Sequence, residues 1–323
     1  MKKIIMIILS LLILSCSSKE KTVSIFIYNQ KDNFIHEMSN YIQQGFNKNY
    51  KINIIDSENF QITQNEFIEE RIKAKDDLLI INPVDRLGVY SIIKKLKKNN
   101  IPVIFFNREP LEKDMNLWDR VYYVGTKGEQ SAHIQANLIM NRFGNNPKEL
   151  NQYDINGNGI IEAIILKGEQ GHQDAEIRTT EVVNTLKKDG YKLKILETSV
   201  ANWSRSEAYD KTNQIIDSYQ DQLELVISNN DSMAIGAIMA LRQRGMFQKD
   251  KLWVPVVGID GLQESEELIK NGYLYGTVVN DSKLQADAII QLSQHILDPQ
   301  KYKDVGYQLI DDKYILVDYR ILQ

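Results

Sequence analysis

The run YDINGNGIIE, Tyr153 to Glu162, places oxygen-bearing side chains at alternate positions: Asp154, Asn156 and Asn158, with Gly159 in the sixth place and Glu162 in the ninth. Carboxylate, amide and backbone carbonyl oxygens folded around one point by a glycine turn are the ligands a hard cation such as Ca2+ takes. A twelve-residue calcium loop of this kind closes on a bidentate Glu at its last place. Here that place is Ile165, inside an apolar run that reads as a buried strand. Two readings stand: a polar turn, or a loop whose missing carboxylate comes from elsewhere in the chain.

A second group of chemistry-bearing residues recurs at a fixed place, directly after short apolar runs. FIY leads into Asn29–Gln30–Lys31–Asp32, VIFF into Asn107–Arg108–Glu109, and ILKG into Glu169–Gln170–Gly171–His172. LVIS leads into Asn229–Asn230–Asp231, VVGI into Asp260, and TVV into Asn280–Asp281. Open parallel sheets bind ligands at the carboxyl ends of their strands, so the recurrence predicts a single polar cleft. Carboxylates, amides and guanidinium make paired, directional hydrogen bonds, which suit the vicinal hydroxyls of a sugar. Phe34 and Trp203 offer flat faces for the apolar sides of the ring.

Other chemistries find less to work with. An anionic ligand asks for clustered cations or a glycine-rich loop, and neither GxGxxG after a strand nor the GxxxxGK(S/T) pattern occurs. No serine sits in a G-x-S-x-G elbow. His36, His133, His172 and His295 lack metal-ligand spacing. The chain therefore reads as a binding protein and not an enzyme, with Asp32 and Asp260 keeping a two-carboxylate glycoside-processing site as the alternative.

Such a cleft needs strands that end together. VSIFIY, KINIID, DLLIIN, IPVIFFN and VYYVG read as strands before about Thr126, and EAIILKG, KLKILET, LELVISN, LWVPVVGID and YLYGTVVN after it. Between them run amphipathic segments such as NFIHEMSNYIQQGF and VDRLGVYSIIKKLKKN. Uninterrupted apolar strands separated by helices imply parallel sheets covered on both faces. The fold class is α/β, with two doubly wound lobes. The net charge of -4 argues against a nucleic-acid partner. Lys94, Lys95, Lys97 and Lys98 read as the solvated face of a helix.

The N-terminus MKKIIMIILSLLILSC has two lysines and then an apolar run from Ile4 to Leu14, a secretory signal pattern. The run is shorter than the ~20 residues of a spanning helix. It ends at Cys16, the single cysteine, which reads as a lipidated anchor after a signal peptide of residues 1–15, with 16–22 as linker. The protein is expected to be exported and membrane-anchored, facing the periplasm or exterior, and to fold without disulfides.

These strings carry a resemblance. YNQKDNF, VIFFNREP, YYVGT, LKGEQGHQDAEIRTT, VISNNDSMAIGA, VVGIDGL and GTVVNDS resemble the periplasmic binding proteins of the ribose/galactose type, and within them the galactose/glucose-binding branch. The resemblance implies two lobes joined by a three-strand hinge, residues 23–126 plus 280–309 and 127–279 plus 310–323, in a monomer. It implies sugar ligands Asp32, Asn107, His172, Asp174, Arg178, Asn230, Asp260 and Asn280, with Phe34 and Trp203 stacked on the ring. The aspartate at the place of Asp32 accepts the fourth hydroxyl of either epimer in that branch, so glucose and galactose are the expected ligands. An ABC permease is the expected partner, with a chemoreceptor or kinase as the sensing alternative. The resemblance also implies Ca2+ held by Asp154, Asn156, Asn158, the Ile160 carbonyl, Glu162 and a bidentate Glu224. This sequence departs from the branch in Asn158, Glu162 and Gln173, the last standing where relatives have proline.

Several of these residues have ordinary structural readings. Asp32 and Asn230 can be helix N-caps, and Asp174 with Arg178 can be an i,i+4 ion pair. Trp118 and Trp253 read as packing residues, His36 and His295 as helix surface, and Tyr122 and Tyr123 as supports near the hinge.

Overall fold

The computed structural model describes residues 20–219, 221–246 and 253–323. The leader and Cys16 lie outside the described residues. Two six-stranded sheets organise the chain. The first takes β1 (Lys21–Ile27), β2 (Tyr50–Asp56), β3 (Leu78–Ile81), β4 (Val103–Phe106) and β5 (Val121–Gly125), joined by α1 (Asn33–Gly45), α2 (Gln61–Ala74), α3 (Val89–Asn99) and the short α4 (Glu112–Met115). After α5 (Gly128–Phe143) the second takes β6 (Ile161–Lys167), β7 (Leu193–Val200), β8 (Leu225–Ser228), β9 (Val256–Asp260) and β10 (Gly276–Val279). Its connections are α6 (Gln173–Lys188), α7 (Arg205–Tyr219), α8 (Asp231–Gln243) and α9 (Gln263–Lys270). The chain then returns through α10 (Ser282–Leu297), β11 (Tyr314–Leu316) and β12 (Arg320–Leu322).

The first sheet runs β11-β5-β4-β3-β1-β2 and the second β12-β10-β9-β8-β6-β7. All pairings are parallel except β10 with β12. Alternation along each strand divides the cores. Val23, Ile25 and Ile27 pack with α1 and α10 on one face, while Phe26, Leu79 and Ile81 meet Ile68, Ile92 and Ile93 on the other. In the second sheet, Ile161, Ala163 and Ile165 face α5 and α6, and Ile164 and Leu166 face α7 and α8. Burial on both faces explains why these strands read as unbroken apolar runs rather than alternating ones.

The chain crosses between sheets three times, after β5, after β10 and between β11 and β12. One expected boundary needs correction. Residues 310–323 do not all join the second lobe: β11 pairs with β5, Tyr314 opposite Tyr123, and only β12 joins the second sheet. The lysines of α3 are exposed around buried Leu96, as a solvated face should be. Among the described residues no helix is long and apolar enough to cross a membrane.

Candidate ligand-binding cleft

The strand-end residues face one another because each sheet delivers its carboxyl ends to the same gap. Several also start helices. Asp32 Oδ1 accepts from the Phe34 and Ile35 amides, Asn230 Oδ1 from Met233, and His172 Nδ1 from Asp174. Capping and a cleft role therefore coexist in the same side chains, because a helix N-terminus leaves unpaired N–H groups at the rim. Asn107, Trp203 and Asp260 hold positive φ values of 61°, 61° and 127°. Non-glycine residues keep such backbone only where the surroundings fix it, which is common at ligand sites.

All ten side chains expected to contact a sugar line one cavity, together with Tyr28 and Arg108. The second lobe's share is wired in advance. Arg178 donates to the Asn229 carbonyl at 2.8 Å and to the Tyr319 hydroxyl at 3.1 Å, with Asp174 at 3.5 Å and Asp260 at 3.8 Å. Burial opposes its charge, but Tyr319, Asp174 and Asp260 together keep the proton on. Burial pushes the Asp260 carboxyl well above its usual range against the pull of Arg178, and raises Asp174 likewise. Burial also holds the His172 imidazole well below its ordinary value, assisted by Arg108, Arg178 and Arg86. His172 meets the Trp203 ring edge-on, centroids 5.1 Å apart. Gly168 makes room for that indole: a Cβ there would fall 2.2 Å from its ring atoms.

The first lobe contributes fewer groups. The Tyr28 hydroxyl donates to Asp32 Oδ2 at 2.7 Å, and Asn82 Nδ2 reaches Asn107 Oδ1 at 3.3 Å. Tyr123 donates to the Asn107 carbonyl at 3.2 Å, so it supports the site beside the hinge. Contacts that bridge the lobes include Arg108 to Glu169 at 2.9 Å, Asn33 to Ser232 at 3.1 Å and Glu109 with Gln173. The described form is closed.

The 154–162 loop is built from its own Asx turns. Asn156 Oδ1 accepts from the Asn158 amide and Asn158 Oδ1 from the Ile160 amide, while Gly157 and Gly159 supply φ values of 69° and 72°. Glu224 reaches the loop as expected, accepting from the Ile155 amide at 2.7 Å and the Glu162 amide at 3.1 Å. Burial raises its carboxyl, and Glu162 and Asp154 add to the rise. A buried carboxylate beside two others, with amide oxygens close by, is the kind of oxygen donor set that a hard cation takes. As placed, Asn156 and Asn158 turn their amide nitrogens to Glu162, and Lys194 stands 3.6 Å from it. Among the described residues no group of three or more His, Cys, Asp or Glu side chains is disposed as a metal site.

Two contributors escaped sequence reasoning, Tyr28 and Tyr319, and Arg108 was placed at a strand end without a role. Tyr319, on the third crossing, accepts from Thr126 at 2.7 Å as well as from Arg178. Its one available signal was a lone aromatic in the polar sequence VDYR.

The sequence profile of the periplasmic binding protein domain matches residues 23–301. The chain is 34% identical over 303 residues to the D-galactose/methyl-galactoside binding periplasmic protein MglB of Haemophilus influenzae, covering 93% of this chain and 88% of that one. It is 24% identical over 258 residues to the ribose import binding protein RbsB of Salmonella typhimurium, 80% and 78% of the two chains. Among solved structures, a periplasmic solute binding protein of an ABC transporter from Actinobacillus succinogenes with bound D-allose superposes with a TM-score of 0.76 at 21% identity, covering 94% and 97%. The myo-inositol binding protein of Caulobacter superposes at 0.75 with 20% identity, covering 95% and 94%.

Proposed function

Because the chain belongs to the periplasmic binding protein family, we propose that it is an exported receptor that closes on glucose or galactose and delivers it to an ABC permease. The family is one of binding proteins, which sets aside the glycoside-processing alternative. The observation that carries the reading is the convergence of ten side chains, eight polar and two aromatic, on one interlobe cavity. Asp32, Asp174 and Asp260 accept from sugar hydroxyls, while Arg178 and the amides of Asn107, Asn230 and Asn280 donate. Phe34 and Trp203 cover the ring. The similarity to a D-galactose/methyl-galactoside binding protein supports a hexose over the pentose of the ribose relative.

Closure is driven by differential affinity. A ligand that touches both lobes binds the closed form better and shifts the population toward it. Calorimetric titration with glucose, galactose and ribose tests the assignment. One-to-one binding of both hexoses, with ribose much weaker, is expected. Tighter binding of ribose, or heat from none of the three, would require a different ligand.

Calcium belongs to the same proposal. Asp154, Asn156, Asn158, the Ile160 carbonyl, Glu162 and Glu224 would hold Ca2+, which would neutralise the loop's carboxylates. EGTA is expected to lower the melting temperature of the wild type and to leave Glu224→Ala unmoved. A wild type indifferent to EGTA removes calcium from the account. Cys16 carries the proposed lipid anchor, which mass spectrometry of the membrane fraction tests as a diacylated N-terminal peptide.

A further inference from the structure

The short loop between β6 and α6, residues 168–172, brings His172 to the cavity. It is pinned at both ends within its own lobe. At the start, the Gly168 amide donates to Asn229 Oδ1 at 3.1 Å. Toward the far end, Gly171 turns the chain with a φ of 82°, and its amide donates to Glu176 Oε1 at 3.0 Å.

Glu176 does more than meet one amide. Both of its oxygens accept from Lys167 Nζ at 2.7 Å. Gln170 lies across that pair: its Oε1 accepts from Lys167 at 3.2 Å, and its Nε2 donates to Glu176 Oε1 at 3.2 Å. All three ammonium donors of Lys167 therefore have acceptors. Lys167 ends β6 and is 7% exposed. A buried cation left without its partner is costly, so this pair is fixed where an exposed one would be free to part. The hydrogen bond from Lys167, and then that from the Gly171 amide, hold the Glu176 carboxyl below its usual range. None of the three side chains lines the cavity.

We propose that Lys167, Gln170 and Glu176 form a clasp that fixes the 168–172 loop and so sets His172 in place before ligand arrives. They are positioning residues, acting through the loop and not on the ligand. The proposal rests on the hexose reading of the cleft. Glu176 also stands in the first turn of α6, where a carboxylate favours the helix by its charge alone. That role would leave affinity untouched, and this separates the two.

Calorimetric titration with D-galactose and thermal melting test the clasp on wild type, Gln170→Ala, Glu176→Ala and the double variant Lys167→Met/Glu176→Ala. Glu176→Ala strands the buried ammonium, so it should lower the melting temperature and weaken binding about tenfold. The double variant removes the stranded charge as well. Its melting temperature should recover while its affinity stays about tenfold down, because the loop is no longer preorganised. Gln170→Ala should weaken binding about threefold at an unchanged melting temperature. Affinity that recovers together with stability in the double variant overturns the clasp, and so does wild-type affinity in Glu176→Ala. Hydrogen exchange of the ligand-free proteins needs no sugar. The peptide containing residues 168–172 should exchange about tenfold faster in the double variant than in wild type, and equal rates overturn the proposal. If wild type takes up no galactose, the hexose reading falls, and the exchange rates alone decide whether the clasp holds the loop.

Discussion

The two walls of the cleft are built differently. On the second lobe, Arg178, Asn230 and Asp260 are buried, and Arg178 is tied to two acids, a backbone carbonyl and Tyr319. On the first lobe, Asp32 and Asn107 are only partly buried; Asp32 is held by Tyr28 and the two amides it caps, and the Asn107 side chain by Asn82. A preorganised wall costs little reorganisation when ligand arrives. The comparison therefore assigns initial capture to the second lobe and commitment to the first.

The largest test of that division is Arg178→Met. It leaves Asp174 and Asp260 buried without their cation, and removing one partner of a buried pair costs ~3–5 kcal/mol. Hexose affinity should fall by at least about a hundredfold, with a lower melting temperature as well. Retained affinity in calorimetry would show that the second wall is not the capture site.

Asp32→Asn should act more selectively on the first wall. Asparagine caps a helix as well as aspartate does, so ligand-free stability should hold. Loss of a charged acceptor should weaken binding by about ten- to thirtyfold. A matching fall in melting temperature would mean that Asp32 is chiefly a cap.

The pH dependence is the smaller effect. Burial, then Arg108, Arg178 and Arg86, depress the pKa of His172 in the closed form, whereas an open or unfolded form takes up a proton near pH ~6.5. The closed form binds fewer protons, so its stabilisation is whole above that pH and is lost as pH falls toward the depressed value. Hexose affinity should decline between about pH 6.5 and 5, and His172→Gln should flatten the profile. A decline that survives the substitution assigns the titration to another group.

The fold was legible because two-sided burial writes itself as apolar runs, and all ten strands expected before Asn280 form. The short terminal strands were not separable: YIL and RIL carry no length or pattern to say which sheet each joins. The strand-end polar residues were legible for a topological reason, since parallel sheets put them at one rim. Arg108 was seen there but given no role, because FFNREP holds nothing to reveal that its guanidinium stacks on Tyr28, eighty positions earlier. Tyr319 was hidden in the same way, by a partnership made only in three dimensions. The 154–162 loop was legible as spacing, and its Asn156 and Asn158 carbonyls already take part in turns.

The last two strands also bear on how the chain is made. Each sheet has an edge supplied from the final ten residues, β11 for one and β12 for the other. A chain emerging N-terminus first leaves both sheets without an edge strand until residues 314–322 have emerged. The pairings of β11 with β5 and of β12 with β10 are therefore the last of the two sheets that a chain made from its N-terminus can form.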